Sequence, residues 1–198
     1  MREYELLRTA ITEKEKAIVQ YNSILYATVA VILTYALDKP NYFLSLIPYA
    51  VILPLYLLTE GCYASMCVMG TYFYVFHEGE DSEFRWEKRH QEFDKAAKHR
   101  AGPISWLIGR VLSRIHYFFI TLICAFIATY KVIISDVMWT EKGISLTFTW
   151  LSTIAVIIVM LIKVTDWPSL RERFIKEWRE VENKEKAQQK RNANRNPQ

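Results

Sequence analysis

The chain has 198 residues, 52% hydrophobic and 23% charged, with a net charge of +4 and a mean hydropathy of +0.03. Its 10 Phe, 6 Trp and 12 Tyr, set against so small a net charge, exclude a disordered chain. Three cysteines in apolar surroundings (Cys62, Cys67 and Cys124) exclude a disulfide scaffold, and the Cys62 to Cys67 spacing has no second pair to complete a zinc site.

Taken in chain order, charge is segregated. Met1 to Gln20 mixes Arg2, Arg8, Lys14 and Lys16 with Glu3, Glu5, Glu13 and Glu15, while Tyr4, Leu7, Ile11 and Ile18 recur at helical spacing. That pattern predicts an amphipathic helix over 1–20. It is not the leader of a signal peptide, and no small-residue cleavage site follows, so the next apolar run is expected to be retained. Four windows are then almost free of charge: Tyr21 to Leu37, Tyr42 to Glu60, His116 to Ser135 and Ser145 to Val164. Of 25 Lys and Arg and 21 Asp and Glu, only Glu60, Lys131 and Lys163 fall inside them. Each window approaches the ~20 residues with which a helix crosses a ~30 Å hydrocarbon core. A soluble bundle with buried central helices is the competing reading, and runs such as AVILPLYLL and STIAVIIVMLI, apolar on every face, count against it.

The predicted fold is therefore an all-α integral membrane four-helix bundle, with long helices extending into a cytoplasmic helical layer. The first transmembrane hairpin covers 21–60 and the second 116–164. Between them a cytoplasmic helical hairpin covers 61–115, because Tyr42 to Phe76 has 35 residues with only Glu60 charged. At 1.5 Å per residue that stretch would reach roughly 50 Å, past the hydrocarbon thickness. Pro48 and Pro54 are expected to kink it. On the return, ISWLIGRVLSRI (Ile104 to Ile115) carries Arg110 and Arg114 on an apolar helix, capped by a charged helix around Ser82 to Arg100. Short outer connections are expected at Asp38 to Asn41 and at Asp136 to Gly143.

After the fourth window, Leu170, Phe174, Trp178 and Val181 make an apolar stripe over 165–190, the candidate docking face for a partner. Glu172 with Lys176, Glu180 with Lys184 and Glu182 with Lys186 are four residues apart, as on a helix's wet face. The polar tail 191–198 is expected to be disordered. Of the Lys and Arg, 22 of 25 lie on the side of the termini and the long central segment, with Lys39, Lys131 and Lys142 on the other. By the positive-inside rule both termini are cytoplasmic, and Lys131 lies close enough to its interface to snorkel.

Tyr42, Tyr49, Tyr56 and Tyr63 repeat every seven residues and align as a stripe. A hydroxyl in lipid requires a partner, so the stripe faces another helix, a subunit interface or a pore. Glu60 ends the stripe at the inner level, where Arg110, Arg114 and Lys163 are its candidate charge partners. An interfacial salt bridge and a functional carboxylate are both open readings. Gly61 with Ser65 is one small-xxx-small pair.

Enzymatic chemistry finds no motif. His77, His90, His99 and His116 are scattered, and there is no nucleophile elbow, phosphate loop or metal-ligand set, so no catalytic residue, metal or cofactor is expected. Basic residues are interleaved with acids, as in RERFIKEWREVENKEK, so no direct nucleic-acid binding is expected.

The block LIPYAVILPLYLLTEGCYASMCVMGTYFYVFHEGEDSEFRWEKRHQEFD resembles the second span and following loop of small multi-pass bacterial inner-membrane proteins, some of them in anti-phage defence operons of the Kiwa and Hailong types. The resemblance carries no catalytic motif. It implies a homo-oligomer, with a tetramer favoured, in the bacterial inner membrane beside a cytosolic partner protein. Two functions stay open: an infection sensor or scaffold for that partner, and a pore-forming effector that depolarises the membrane.

Overall fold

An apolar chain in lipid must satisfy its backbone internally, and a helix does so within one segment. The computed structural model describes residues 2–39, 41–76, 114–135, 139–165 and 167–195. Among them the chain is all-α, without strands: α1 is Arg2–Asp38, α2 Tyr49–Phe76, α3 Ile115–Ile134, α4 Trp139–Thr165 and α5 Trp167–Arg195, with a 3₁₀ turn Tyr42–Leu46 ahead of α2. Glu5–Asp38, Phe43–Phe76, Ile115–Ile134 and Trp139–Val164 are long and apolar enough to cross a membrane, which makes this a multi-pass membrane protein.

The helices divide into two compact units. One comprises residues 12–63, 114–135 and 139–165 of those described. Its core draws on four helices: Leu25 and Val29 of α1, Tyr49, Ile52 and Tyr56 of α2, Tyr117 and Cys124 of α3, Val156 and Met160 of α4. In their most apolar stretches 39% of residues are buried in α2 and in α3, against 11% in α1 and 22% in α4, so α2 and α3 are the central pair. Val31, Phe119, Phe126, Leu151 and Ile154 point outward, as a lipid-facing surface requires. Thr and Ser hydroxyls inside these helices return to the carbonyl four residues back, as in Thr121 to Tyr117 (2.8 Å) and Thr153 to Thr149 (2.7 Å).

The other unit comprises residues 2–11, 64–76 and 167–195 of those described. It is held by aromatic packing: the Trp178 ring meets Tyr72 edge-on at 5.2 Å and Phe76 at 6.0 Å, and Tyr72 and Phe76 lie one turn apart on α2.

Several boundaries differ from the sequence reading. α1 runs unbroken through both the expected amphipathic segment and the first span, because KEKAIVQYN at their junction holds no Gly or Pro and is rich in helix formers. Pro48 does not kink a helix. It precedes α2, and its carbonyl accepts from Val51 N and Ile52 N at 2.9 and 2.8 Å, while the 3₁₀ turn before it is capped by Asn41 Oδ1 accepting from Phe43 N at 3.0 Å. Only Pro54 lies within α2. α4 begins at Trp139, ahead of Gly143, so the outer connection is shorter than expected. α5 continues to Arg195 into the stretch read as a disordered tail: the preceding run AQQKR is rich in helix formers, and no Gly or Pro follows before Pro197. The charged helix around 82–100 and Ile104 to Ser113, with Arg110, lie outside the described residues.

Candidate functional site

Without a hydrophobic drive between helices in lipid, polar side chains and close packing decide which faces meet. The tyrosine stripe of α2 meets its own chain. The Tyr49 hydroxyl lies 2.8 Å from Thr153 Oγ1 of α4 and 3.2 Å from the Thr121 carbonyl of α3. Fully buried Tyr56 donates to the Met160 carbonyl of α4 at 2.8 Å, and its ring meets Tyr117 edge-on at 5.2 Å. Ile52, fully buried on the same face, separates these two polar levels. Tyr42 belongs to the 3₁₀ turn.

Below Tyr56 in sequence order, polar groups gather on three helices. Tyr117, fully buried on α3, donates to Asn22 Oδ1 of α1 at 2.9 Å and accepts from Thr59 Oγ1 of α2 at 2.9 Å. Glu60, the next residue on α2, is 7% exposed and binds Arg114 through two contacts, Nε to Oε1 and Nη2 to Oε2, the second at 3.3 Å. The forked geometry is the strong form of a carboxylate pair. The guanidinium also stands 4.6 Å from the centre of the Tyr63 ring, within cation–π range. Of the three candidate partners of Glu60, Arg114 is thus the one placed on it. Lys163 is exposed on α4, and Arg110 is not among the described residues. His116 packs against Tyr26 and Tyr117 at 6.0 and 4.4 Å, and its Nε2 is buried without a hydrogen-bond partner.

The opposite helix ends show a role that spacing did not reveal. Lys131 is 6% exposed and donates to the carbonyls of Ala36, Leu37 and Lys39 at the end of α1. It meets carbonyls that a helix end leaves without partners, at the negative end of the dipole. Lys142 does the same for α3, donating to the Ile133 carbonyl at 3.0 Å. The sequence signal was a lone Lys in an otherwise uncharged window.

Of the docking candidates, Leu170, Phe174 and Trp178 are half-buried and Val181 is 37% exposed. Trp178 spends its ring on Tyr72 and Phe76, and with Tyr72 it borders an apolar groove of about 550 Å³ completed by Leu6, Leu7 and Ala10 of α1 and Val68 and Met69 of α2. Arg173 lies over the Phe174 ring at 5.6 Å and pairs with Glu177 at 3.6 Å, and Glu182 pairs with Lys186. Among the described residues no group of three or more His, Cys, Asp or Glu side chains is placed to hold a metal ion. No family model, curated protein or solved structure matches the chain.

Proposed function

We propose that the chain is a non-enzymatic, homo-oligomeric membrane subunit of a bacterial anti-phage defence system, acting as an infection sensor or scaffold that holds a cytosolic partner at the inner membrane. The observation that carries the reading is the groove between α1, α2 and α5: Trp178 fixes one wall on Tyr72 and Phe76, and the remaining lining is apolar and open, a shape that takes an amphipathic helix. The excess of Lys and Arg on the side of the termini supports, by the positive-inside rule, a cytoplasmic setting for both termini and for this groove. The resemblance to defence-operon membrane proteins supplies the setting, a tetramer and a partner encoded beside it.

The pore reading has less support. Tyr49 and Tyr56 bind groups of the same chain, and Ile52 closes the interval between them, so neither hydroxyl is left to line a path.

The test is co-purification, from membranes, of the chain with a tagged product of the neighbouring gene. Met69→Glu in the groove should abolish it while the protein still accumulates in the membrane; retention of the partner would reject the groove. Membrane potential is read in the same cells, and a depolarisation that depends on Glu60 would move the conclusion to a pore-forming effector.

A further inference from the structure

One hydroxyl joins three helices, that of Tyr117. Asn22 Oδ1 of α1 can only accept, so the Tyr117 proton goes to it, and Thr59 of α2 supplies the proton of its own contact with Tyr117. Of the helices so joined, α2 is also fastened through Tyr49 and Tyr56, whereas α1 is the least buried span. The inward seam of α1 holds Ile18, Asn22, Leu25 and Val29, at alternating steps of four and three residues. Apolar residues at such spacing can pack in more than one position, and a single Asn among them specifies one. Further along, α1 is held by Lys131, which binds the carbonyls of Ala36, Leu37 and Lys39.

We propose that Tyr117 is a positioning residue for the groove, setting the distance between its α1 and α2 walls. Both helices run without a break from this junction to lining residues, α1 back to Ala10, Leu7 and Leu6, α2 on to Val68, Met69 and Tyr72. Asn22 stands about midway along α1 between Leu7 and Ala36, where Lys131 holds the helix end. The rise along a helix is uniform, so with that end held a displacement of α1 at Asn22 is roughly doubled at Leu7. The bond from Tyr117 to Asn22 thus fixes the α1 wall, while α2 is kept in place by its own bonds. The consequence for docking rests on the groove being the partner's site: a wall that wanders presents no fixed surface to a helix.

Two spin labels measure the wall spacing in the full chain in bilayers, with Cys62, Cys67 and Cys124 replaced by Ala. One is placed at Thr9→Cys, exposed on α1, the other at Tyr74→Cys on α2, two residues past Tyr72 and so off the lining face. Tyr117→Phe removes the shared hydroxyl and should broaden the distance distribution, on the order of twofold for a lever of that gain. Asn22→Leu should do the same, whereas Thr59→Ser, which keeps a hydroxyl, should leave the distribution as it is. Tyr49→Phe removes a bond of α2 to α3 and α4 but none to α1, so it too should leave the distribution narrow. An unchanged distribution in Tyr117→Phe overturns the proposal. Equal broadening in Tyr49→Phe overturns it as well, since the effect would then be general loosening of the bundle. If Tyr117→Phe fails to accumulate, Asn22→Leu carries the same two outcomes. No partner is present in these measurements, so they decide the role of Tyr117 separately from whether the groove takes one.

Discussion

Lys131 of α3 gives its ammonium to the Ala36 carbonyl at the end of α1, and to the carbonyls of Leu37 and Lys39 beside it. The last carbonyls of a helix have no partner of their own, and in a membrane protein water is not always at hand to serve them. Lys131→Met keeps the length and apolar bulk of the side chain and removes all three donations. It is expected to destabilise the bundle by about 3 kcal/mol, the scale of leaving buried acceptors unmet. Reversible unfolding in mild detergent measures this, and a loss indistinguishable from that of an exposed Lys→Met control would rule the cap out.

Tyr49→Phe and Tyr56→Phe test the packing role of the stripe. Each removes one hydroxyl that bridges helices, Tyr49 toward Thr153 and Tyr56 toward the Met160 carbonyl. Interhelical hydrogen bonds in membranes contribute about 0.6 kcal/mol on average and up to about 1.7, so each variant should lose roughly 1 kcal/mol. The residues they bridge are more than 100 positions apart in sequence, and so the two effects should be felt by the whole four-helix unit. Stability curves that do not move would mean that these hydroxyls face water or another copy instead.

How much of this could be read from residues alone varies with the kind of information. The four spans were legible because charge is a one-dimensional signal: a window either contains Lys, Arg, Asp and Glu or does not. The tyrosine stripe was legible as a face, since a seven-residue repeat fixes alignment along a helix, but periodicity does not say which neighbour the face meets. Arg110, Arg114 and Lys163 were equivalent as partners of Glu60 for the same reason. Tyr117, Asn22 and Thr59 were missed, since each is a single polar residue inside an uncharged window and only three-dimensional convergence joins them. Helix ends near 143 and 190 differ from the reading, because composition changes there but no Pro or capping residue stops the helix.

Trp178→Ala should detach α5 from α2. The indole meets both Tyr72 and Phe76, and an aromatic side chain buries on the order of 150–250 Å² when packed; half-buried as it is, its loss should cost about 2 kcal/mol. The change is expected to make α5 sensitive to limited proteolysis while leaving residues 12–63 and 114–165 protected. By contrast, a stop after Gln189 removes KRNANRNPQ, whose only apolar side chains are Ala193 and Pro197, and stability should change by less than about 0.5 kcal/mol. Comparable damage from the two would show that the end of α5 is held by something other than the aromatic cluster.

Gly61 and Gly143 separate a single-chain effect from an assembly effect. Both lie inside helices, both are exposed, and a Cβ at either would meet no atom within 4 Å. Replacing a helical glycine by alanine without a clash gains about 0.5–1 kcal/mol by restricting the unfolded chain. Gly143→Ala and Gly61→Ala should therefore both stabilise the isolated protomer. In the proposed oligomer the two diverge if the Gly61 and Ser65 pair seats a neighbouring copy, because close helix approach there tolerates no added methyl. Cross-linking in native membranes, compared with unfolding of the dissociated protomer in detergent, reads both quantities. Stabilisation of the protomer with loss of the cross-linked species for Gly61→Ala, but not for Gly143→Ala, would place Gly61 at the interface; an intact oligomer in both variants would remove that helix face from the assembly.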